Sequence, residues 1–317
     1  MTTRTSPVRP TLAQLRVFVA VAQAGAFSEA AAELGMSQST LSEGVASLER
    51  TLGVQLFRRG AGGATLTGAG EQALAHAVRA VQASEDLSIS LQTGSALSGT
   101  LTVAAYRSLG VHVLPPVLAA LHRQHPGLNV RVLNAQMDSE GGQRLILSGQ
   151  ADVGLMSVAE DTALLVYPLA QDEYVAVQPV QNGAQPLSWT DLEGQTLLLP
   201  PATDSCHRLV MRHLQQHGVV PGMVMEIAED DVIYSMVAHG VGIAIQPGLA
   251  VSPLPGGLMT LPLPVPLSRS MGVAVLPQRA GLPHIWAFMA ALSAAWPSMD
   301  AQGRRPMSGP NPPRAAR

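Results

Sequence analysis

Residues 27–49, FSEAAAELGMSQSTLSEGVASLE, constrain the fold more than any other stretch of the chain. They predict a helix, a three-residue turn and a second helix. Ser28 is placed to cap the first helix, Gly35 supplies the left-handed backbone needed just past its end, and Ser37 caps the second. Ala30 and Ala31 keep the first helix thin where the second crosses it. Leu34, Met36, Leu41, Val45 and Leu48 are the expected plugs of the junction. Gln38, Ser39, Ser42 and Glu43 remain outward at the start of the second helix, where a recognition helix meets base edges and phosphates in a major groove. A helical hairpin with a solvated polar face shares each feature singly, but the ordered set favours a helix-turn-helix.

The flanking residues extend this unit. Before it, Leu12, Leu15, Phe18, Val19 and Ala22 recur at three- and four-residue steps, and Thr11 with Gln14 can form a capping box, so a helix precedes the pair. After it, residues 53–59 (GVQLFRR) and 65–70 (TLTGAG) flank a glycine-rich tip at 60–64. Two short strands around that tip make a wing that places Arg58 and Arg59 against phosphates or a minor groove. Ser37, Gln38, Ser39, Ser42, Glu43, Arg58, Arg59 and Thr67 are the candidate contacts to double-stranded DNA.

Charge and composition narrow the chemistry. All 19 basic residues are arginine, so no lysine-dependent Schiff base, phosphate loop or kinase site can exist. Residues 1–70 carry six arginines against four glutamates, whereas residues 99–300 carry eight arginines against fifteen acids. Phosphate attraction follows local charge, so a nucleic acid should meet the N-terminal segment. The single cysteine, Cys206, excludes an intramolecular disulfide and any multi-cysteine metal centre, and it fits a reducing cytoplasm. His213 and His217 stand one helical turn apart, but no third ligand accompanies them; no metal or cofactor is expected. The charge-free stretches 17–28 and 232–268 imitate a signal peptide and a membrane span. The first has amphipathic periodicity, and six prolines break the second, so no membrane partner is expected.

The order Leu-Arg-x-Phe-Val-x-Val-Ala at 15–22, Ala-Phe-Ser-x-Ala-Ala at 26–31, Ser-Gln-Ser at 37–39, Leu-Glu-Arg-x-Leu-Gly at 48–53, then Leu-Phe-x-Arg and Leu-Thr-x-x-Gly, resembles the LysR-type transcriptional regulators. Glu43 and Gly44 depart from it, standing where the family commonly has a basic residue and a glutamine. The resemblance implies an α/β chain with an N-terminal winged helix-turn-helix over 1–68, a linker and dimerisation helix over 69–94, and an effector domain over 99–300. That domain would be periplasmic-binding-protein-like, with lobe I at about 99–162 and 269–297 and lobe II at about 163–268. Residues 301–317, arginine- and proline-rich, are expected to be a disordered tail. A homodimer or homotetramer on a pseudo-palindromic operator is implied, with RNA polymerase as a further partner if the protein activates.

The residues themselves support alternating strands and helices beyond Gly99: strands at 101–105, 128–133 and 151–156, helices at 111–125 and 143–148, a second set over 174–245, then a strand at 271–276 and a helix at 282–295. This pattern predicts a parallel sheet. Ligands in such a fold sit at strand ends and helix N-termini between the lobes. Arg107, Ser108, Gln136, Ser157, Cys206, His207 and Arg208 occupy such places. Cys206 lies in the first turn of a helix capped by Asp204 or Ser205, where the helix terminus, His207 and Arg208 are expected to lower its pKa while Asp204 opposes them.

The segment from Leu197 to Arg208 also resembles the OxyR-type, peroxide-sensing branch, with Ser108 standing where that branch has a threonine. Gln215 replaces its resolving cysteine and Met137 a second threonine. Oxidant sensing through Cys206 and binding of a small metabolite beside it both stay open. An enzyme would need a nucleophile, base and orienter in motif context, and none is present. A secreted solute-binding protein would have no helix-turn-helix.

Overall fold

The structure is a computed structural model that describes residues 9–60, 63–91, 97–135, 139–157, 162–183 and 185–296. The tail, Gln136, Met137 and residues 94–96 of the expected hinge lie outside the described residues. The chain forms two compact units, residues 1–91 and 92–317.

The first unit begins with α1 (Leu12–Ala24), whose Thr11 and Gln14 form the expected capping box. The helix pair is α2 (Phe27–Leu34) and α3 (Gln38–Leu52). Gly35, at φ 62°, ends α2, and the Ser37 hydroxyl accepts from the Thr40 N–H to start α3. Ser28 does not cap: α2 starts at Phe27, two residues before a helix capped by Ser28 would, after an extended Ala26, and the Phe27 ring lies edge-on to Phe57 at 5.8 Å. Leu41, Val45 and Leu48 plug the junction, but Leu34 and Met36 are 41% and 39% exposed, since the turn carries them to the rim. The wing is β1 (Phe57–Gly60) paired antiparallel with β2 (Gly63–Leu66). Both N–H groups that open it, Leu56 and Phe57, donate to Glu49 Oε1 at 2.8 and 3.2 Å, tying the wing to α3.

Helix α4 (Gly68–Ser90) follows, with Thr67 as its cap. Its first half buries Ala77, Val78 and Val81 in the same core as Phe18, Leu41 and Leu48, whereas Leu87 and Leu91 are 65% and 76% exposed. The start of α4 passes so close to the wing that a Cβ on Gly70 would overlap the Leu56 carbonyl oxygen. Gly70→Ala is therefore expected to lower stability by about 1–3 kcal/mol, despite alanine's better helix propensity. An unchanged or raised thermal midpoint would remove this close approach.

The second unit is a two-lobed α/β domain on one nine-stranded sheet. Lobe I contains β3 (Gly99–Ala105), α5 (Arg107–His112), α6 (Leu114–Gln124), β4 (Leu128–Asn134), α7 (Ser139–Leu147) and β5 (Val153–Ser157). The long β6 (Leu165–Pro179) leaves it. Lobe II adds α8 (Trp189–Leu192), β7 (Thr196–Leu199), α9 (Ser205–Gln216), β8 (Met223–Glu226), α10 (Asp230–Ala238), β9 (Ile243–Pro247) and β10 (Leu258–Pro262). The chain returns through β11 (Ser268–Val275) to α11 (Pro283–Ala295), which packs into lobe I.

The sheet order is β4-β3-β5-β11-β6-β9-β7-β8, with β10 also on β6. It is mixed rather than parallel: β3 runs parallel to β4 and β5, and β7 to β8 and β9, but β6 and β11 are antiparallel to their neighbours. The reason is that these two strands carry the chain from one lobe to the other, β6 pairing with β11 up to Glu173 and with β9 from Tyr174. The helix expected over 111–125 is two helices, because Pro115 and Pro116 lack the N–H that would continue α5 and instead open α6. Among the described residues no helix is long and apolar enough to cross a membrane; 232–268 is divided among α10, β9, β10 and loops.

Candidate functional site

In the first unit, α3 presents Gln38, Ser39 and Glu43 exposed and Ser42 half-buried. The Ser37 hydroxyl is engaged with Thr40 and with the Ser39 hydroxyl at 2.8 Å, so it shapes the start of the helix. Thr67 is similarly occupied: its hydroxyl donates to the Gln55 carbonyl at 2.7 Å and accepts from the Gly70 N–H at 3.0 Å, which makes it a cap and wing tie. Arg58 is exposed on β1, next to Arg59 on the same strand. A Cβ on Gly44 would come 3.2 Å from a Val17 methyl, a contact that Val17 would have to ease by shifting slightly.

In the second unit, a cleft of about 120 Å³ opens between the lobes, lined from lobe I by Tyr106, Arg107 and Ser108 and from lobe II by Asp204, Cys206, Asp230 and Gln246, with Arg269 from the returning strand. Its most ordered feature is a cluster around Arg269. The guanidinium donates through Nε and Nη2 to Asp172 Oδ2 at 3.0 and 2.8 Å, through Nη2 to the Ser108 hydroxyl at 3.1 Å, and through Nη1 to Cys206 Sγ at 3.5 Å. Asp172 Oδ1 accepts the Leu249 N–H at 3.0 Å. One arginine thus links Ser108 of lobe I, the two crossing strands and the thiol of lobe II. Arg107 ion-pairs with Asp230 and approaches Glu229 at 4.0 Å, while the His112 ring meets the Leu249 carbonyl at 2.9 Å. The short helix α5 therefore ties lobe I to lobe II at three places.

Cys206 stands in the first turn of α9, and Asp204 is the cap, accepting the Cys206 N–H at 2.7 Å. The thiol is not activated as the sequence suggested. Burial pushes it up to about 11; Arg269 offsets part of the rise and Asp204 adds to it. Two expected activators point elsewhere. The His207 ring is buried against the Pro200 carbonyl at 2.8 Å, and Arg208 bonds the Thr203 carbonyl at 2.6 Å, both lining a groove on the other side of α9 with Gln215. Burial also raises Tyr174, with the neighbouring Cys206 adding to the rise, and raises Asp204 from its ordinary carboxylate value. Ser157 ends β5 opposite Met271 and does not reach the cleft wall. His213 and His217 pack against Trp189, and His213 Nε2 meets the Val265 carbonyl at 3.0 Å. Among the described residues no group of three metal-ligating side chains occurs.

Arg269, Asp172, Tyr174, Asp230 and Gln246 were not singled out as site residues from the sequence. The one mark the sequence places near Arg269 is the resumption of lobe I at about 269.

Comparison with known proteins agrees with this architecture. Residues 12–71 match the family model described as a bacterial regulatory helix-turn-helix protein of the lysR family, and residues 94–297 match that of the LysR substrate binding domain. A probable HTH-type transcriptional regulator, LrrA, of Synechococcus elongatus is 34% identical over 92% of this chain and 99% of its own. A probable hydrogen peroxide-inducible genes activator of Mycobacterium avium is 34% identical over 64% of this chain and 69% of its own. Among solved structures, a full-length OxyR variant from Pseudomonas aeruginosa superposes with a TM-score of 0.74 at 23% identity, covering 96% of this chain and 99% of that one.

Proposed function

This chain belongs to the LysR family of DNA-binding transcriptional regulators, and from that premise we propose that its effector domain reads hydrogen peroxide through Cys206. The observation that carries this reading is the Arg269 guanidinium, held by Asp172 and set 3.5 Å from Sγ beside the Ser108 hydroxyl. It can polarise a peroxide oxygen while the sulfur attacks. In that step an S–O bond forms and the O–O bond breaks; sulfur loses two electrons, and the departing hydroxide leaves as water with the thiol proton. The product is a sulfenic acid, and with no second cysteine in the chain it persists or is resolved by an external thiol or a partner subunit. The similarity to peroxide-inducible activators supports the same reading.

We assign DNA contact to residues 1–68, with Gln38, Ser39, Ser42 and Glu43 at the bases and Arg58 and Arg59 on the backbone. Residues 69–94 are assigned to dimerisation, because α4 leaves Leu87 and Leu91 uncovered. Residues 99–300 are assigned to sensing. The protein works in the cytoplasm as a homodimer or homotetramer on a pseudo-palindromic site, and contacts RNA polymerase where it activates.

Cys206→Ser is expected to abolish the response of a reporter gene to peroxide, and mass spectrometry of the wild type after mild oxidation is expected to find one added oxygen on Cys206. A normal response in the variant eliminates the redox reading. The second reading, a small metabolite bound in the cleft, is favoured by two observations: the thiol is pushed up to about 11, and Gln246 has a buried amide donor with no partner among the described residues.

A further inference from the structure

The cleft contains a polar corner that thiol chemistry leaves unused. Gln246 on β9 is 3% exposed, and its Nε2 has no hydrogen-bond partner among the described residues. A buried amide N–H left unmet costs about 1–3 kcal/mol, which an acceptor atom on a ligand would recover. Gln246 pairs in register with Val175, whose side chain packs on the α10 side of the sheet, whereas the neighbouring Tyr174 packs with Cys206 on the α9 side. The amide therefore lies on the α10 side of the sheet, in the cleft that Arg107, Glu229 and Asp230 also line.

The charges there are mixed. Helix α10 starts at Glu229 without a side-chain cap, so its first N–H groups and the Arg107 guanidinium attract an anionic group. Against this, Arg107 is already shared between Asp230 and Glu229, and Asp204 faces the same cleft. Arg269 is committed to Asp172. The cleft thus has more carboxylates than free cations. A simple organic acid would satisfy Gln246 and be repelled by Glu229 and Asp204; a simple amine would satisfy the acids and leave Gln246 unmet. A molecule carrying both charges meets both needs. The space of about 120 Å³ takes about four waters at their liquid volume, room for a small amino acid.

We propose that this corner, built on Gln246, Arg107, Glu229 and Asp204, binds a free α-amino acid, its carboxylate on Gln246 and Arg107 and its ammonium toward Glu229 and Asp204. The proposal rests on the reading of the cleft as the effector site and is independent of Cys206. It makes the cleft selective for zwitterions over the organic acids that a purely cationic pocket would take.

The test is calorimetric titration of the full-length protein and of Cys206→Ser with each of the twenty common L-α-amino acids. Each binder is then compared with its decarboxylated amine and with the acid lacking the amino group. Saturable binding of at least one amino acid by both proteins is expected, at least tenfold tighter than its amine or acid. Gln246→Met and, at a more exposed position, Glu229→Gln are each expected to weaken it at least tenfold while still unfolding cooperatively. Binding of none of the twenty, equal binding of the bare acid, or unchanged binding in Glu229→Gln overturns the proposal. If amino-acid binding survives in Cys206→Ser while the wild type shows no peroxide response, the redox reading fails and this one stands; the opposite pattern separates them the other way.

Discussion

Replacing Arg269 by methionine is expected to cost the effector domain about 3–5 kcal/mol of stability, more than any other single change in the cleft. The side chains of Arg269 and Asp172 are 7% and 3% exposed, and two guanidinium nitrogens converge on one carboxylate oxygen. Without the arginine, Asp172 stays buried with the Leu249 N–H as its remaining hydrogen bond among the described residues, and its charge is uncompensated. The penalty arises from that stranded carboxylate rather than from the intrinsic worth of the pair, because both ions have already lost their hydration. The double variant Asp172→Leu with Arg269→Met is accordingly expected to recover most of the loss. Urea unfolding of the full-length protein, following the effector-domain transition, separates the cases. A single variant that loses less than about 1 kcal/mol, or a double variant as unstable as the single, would mean that the pair does not hold the crossing strands.

The helix-turn-helix was legible because its signals are local. Thr11 with Gln14, Gly35 and Ser37 each act within four residues, so a linear reading finds them. Strand direction was not legible, since hydrophobic alternation is the same whichever way a strand runs; the antiparallel placement of β6 and β11 comes from the lobe crossing. The cleft was half legible. Ser108 and Cys206 could be placed by rules about strand ends and helix starts, but Arg269 lies 63 residues from Cys206 and 97 from Asp172, and nothing local links them. His207 and Arg208 turn away from the cleft for a reason that helix geometry supplies. Successive helical residues are turned by about 100° around the axis, so Cys206, His207 and Arg208 cannot all face one cleft. The structure sends the latter two to the opposite groove.

Burial of the thiol decides how it should behave, and alkylation with iodoacetamide reads it directly. The neutral thiol is favoured up to about 11, so the reactive thiolate is a minor species near neutrality and increases with pH. The alkylation rate of the folded protein is expected to rise about tenfold per pH unit from 7 to 10, without the plateau that an unperturbed cysteine reaches near pH 9. The unfolded chain, whose thiol has its ordinary value, supplies the reference. Asp204→Asn keeps a capping side chain on α9 but removes a negative charge beside the sulfur, so its profile should move to lower pH. Arg269→Met removes the cation that offsets burial and should move it higher. A wild-type profile that levels off by pH 8 would mean that the cleft activates the thiol after all. The same steepness bears on peroxide. If oxidation of Cys206 follows the alkylation profile, sulfur ionisation limits the sensor; if it is fast at pH 7 while alkylation stays slow, the thiol proton passes to the peroxide within the complex, with Arg269 stabilising the forming thiolate.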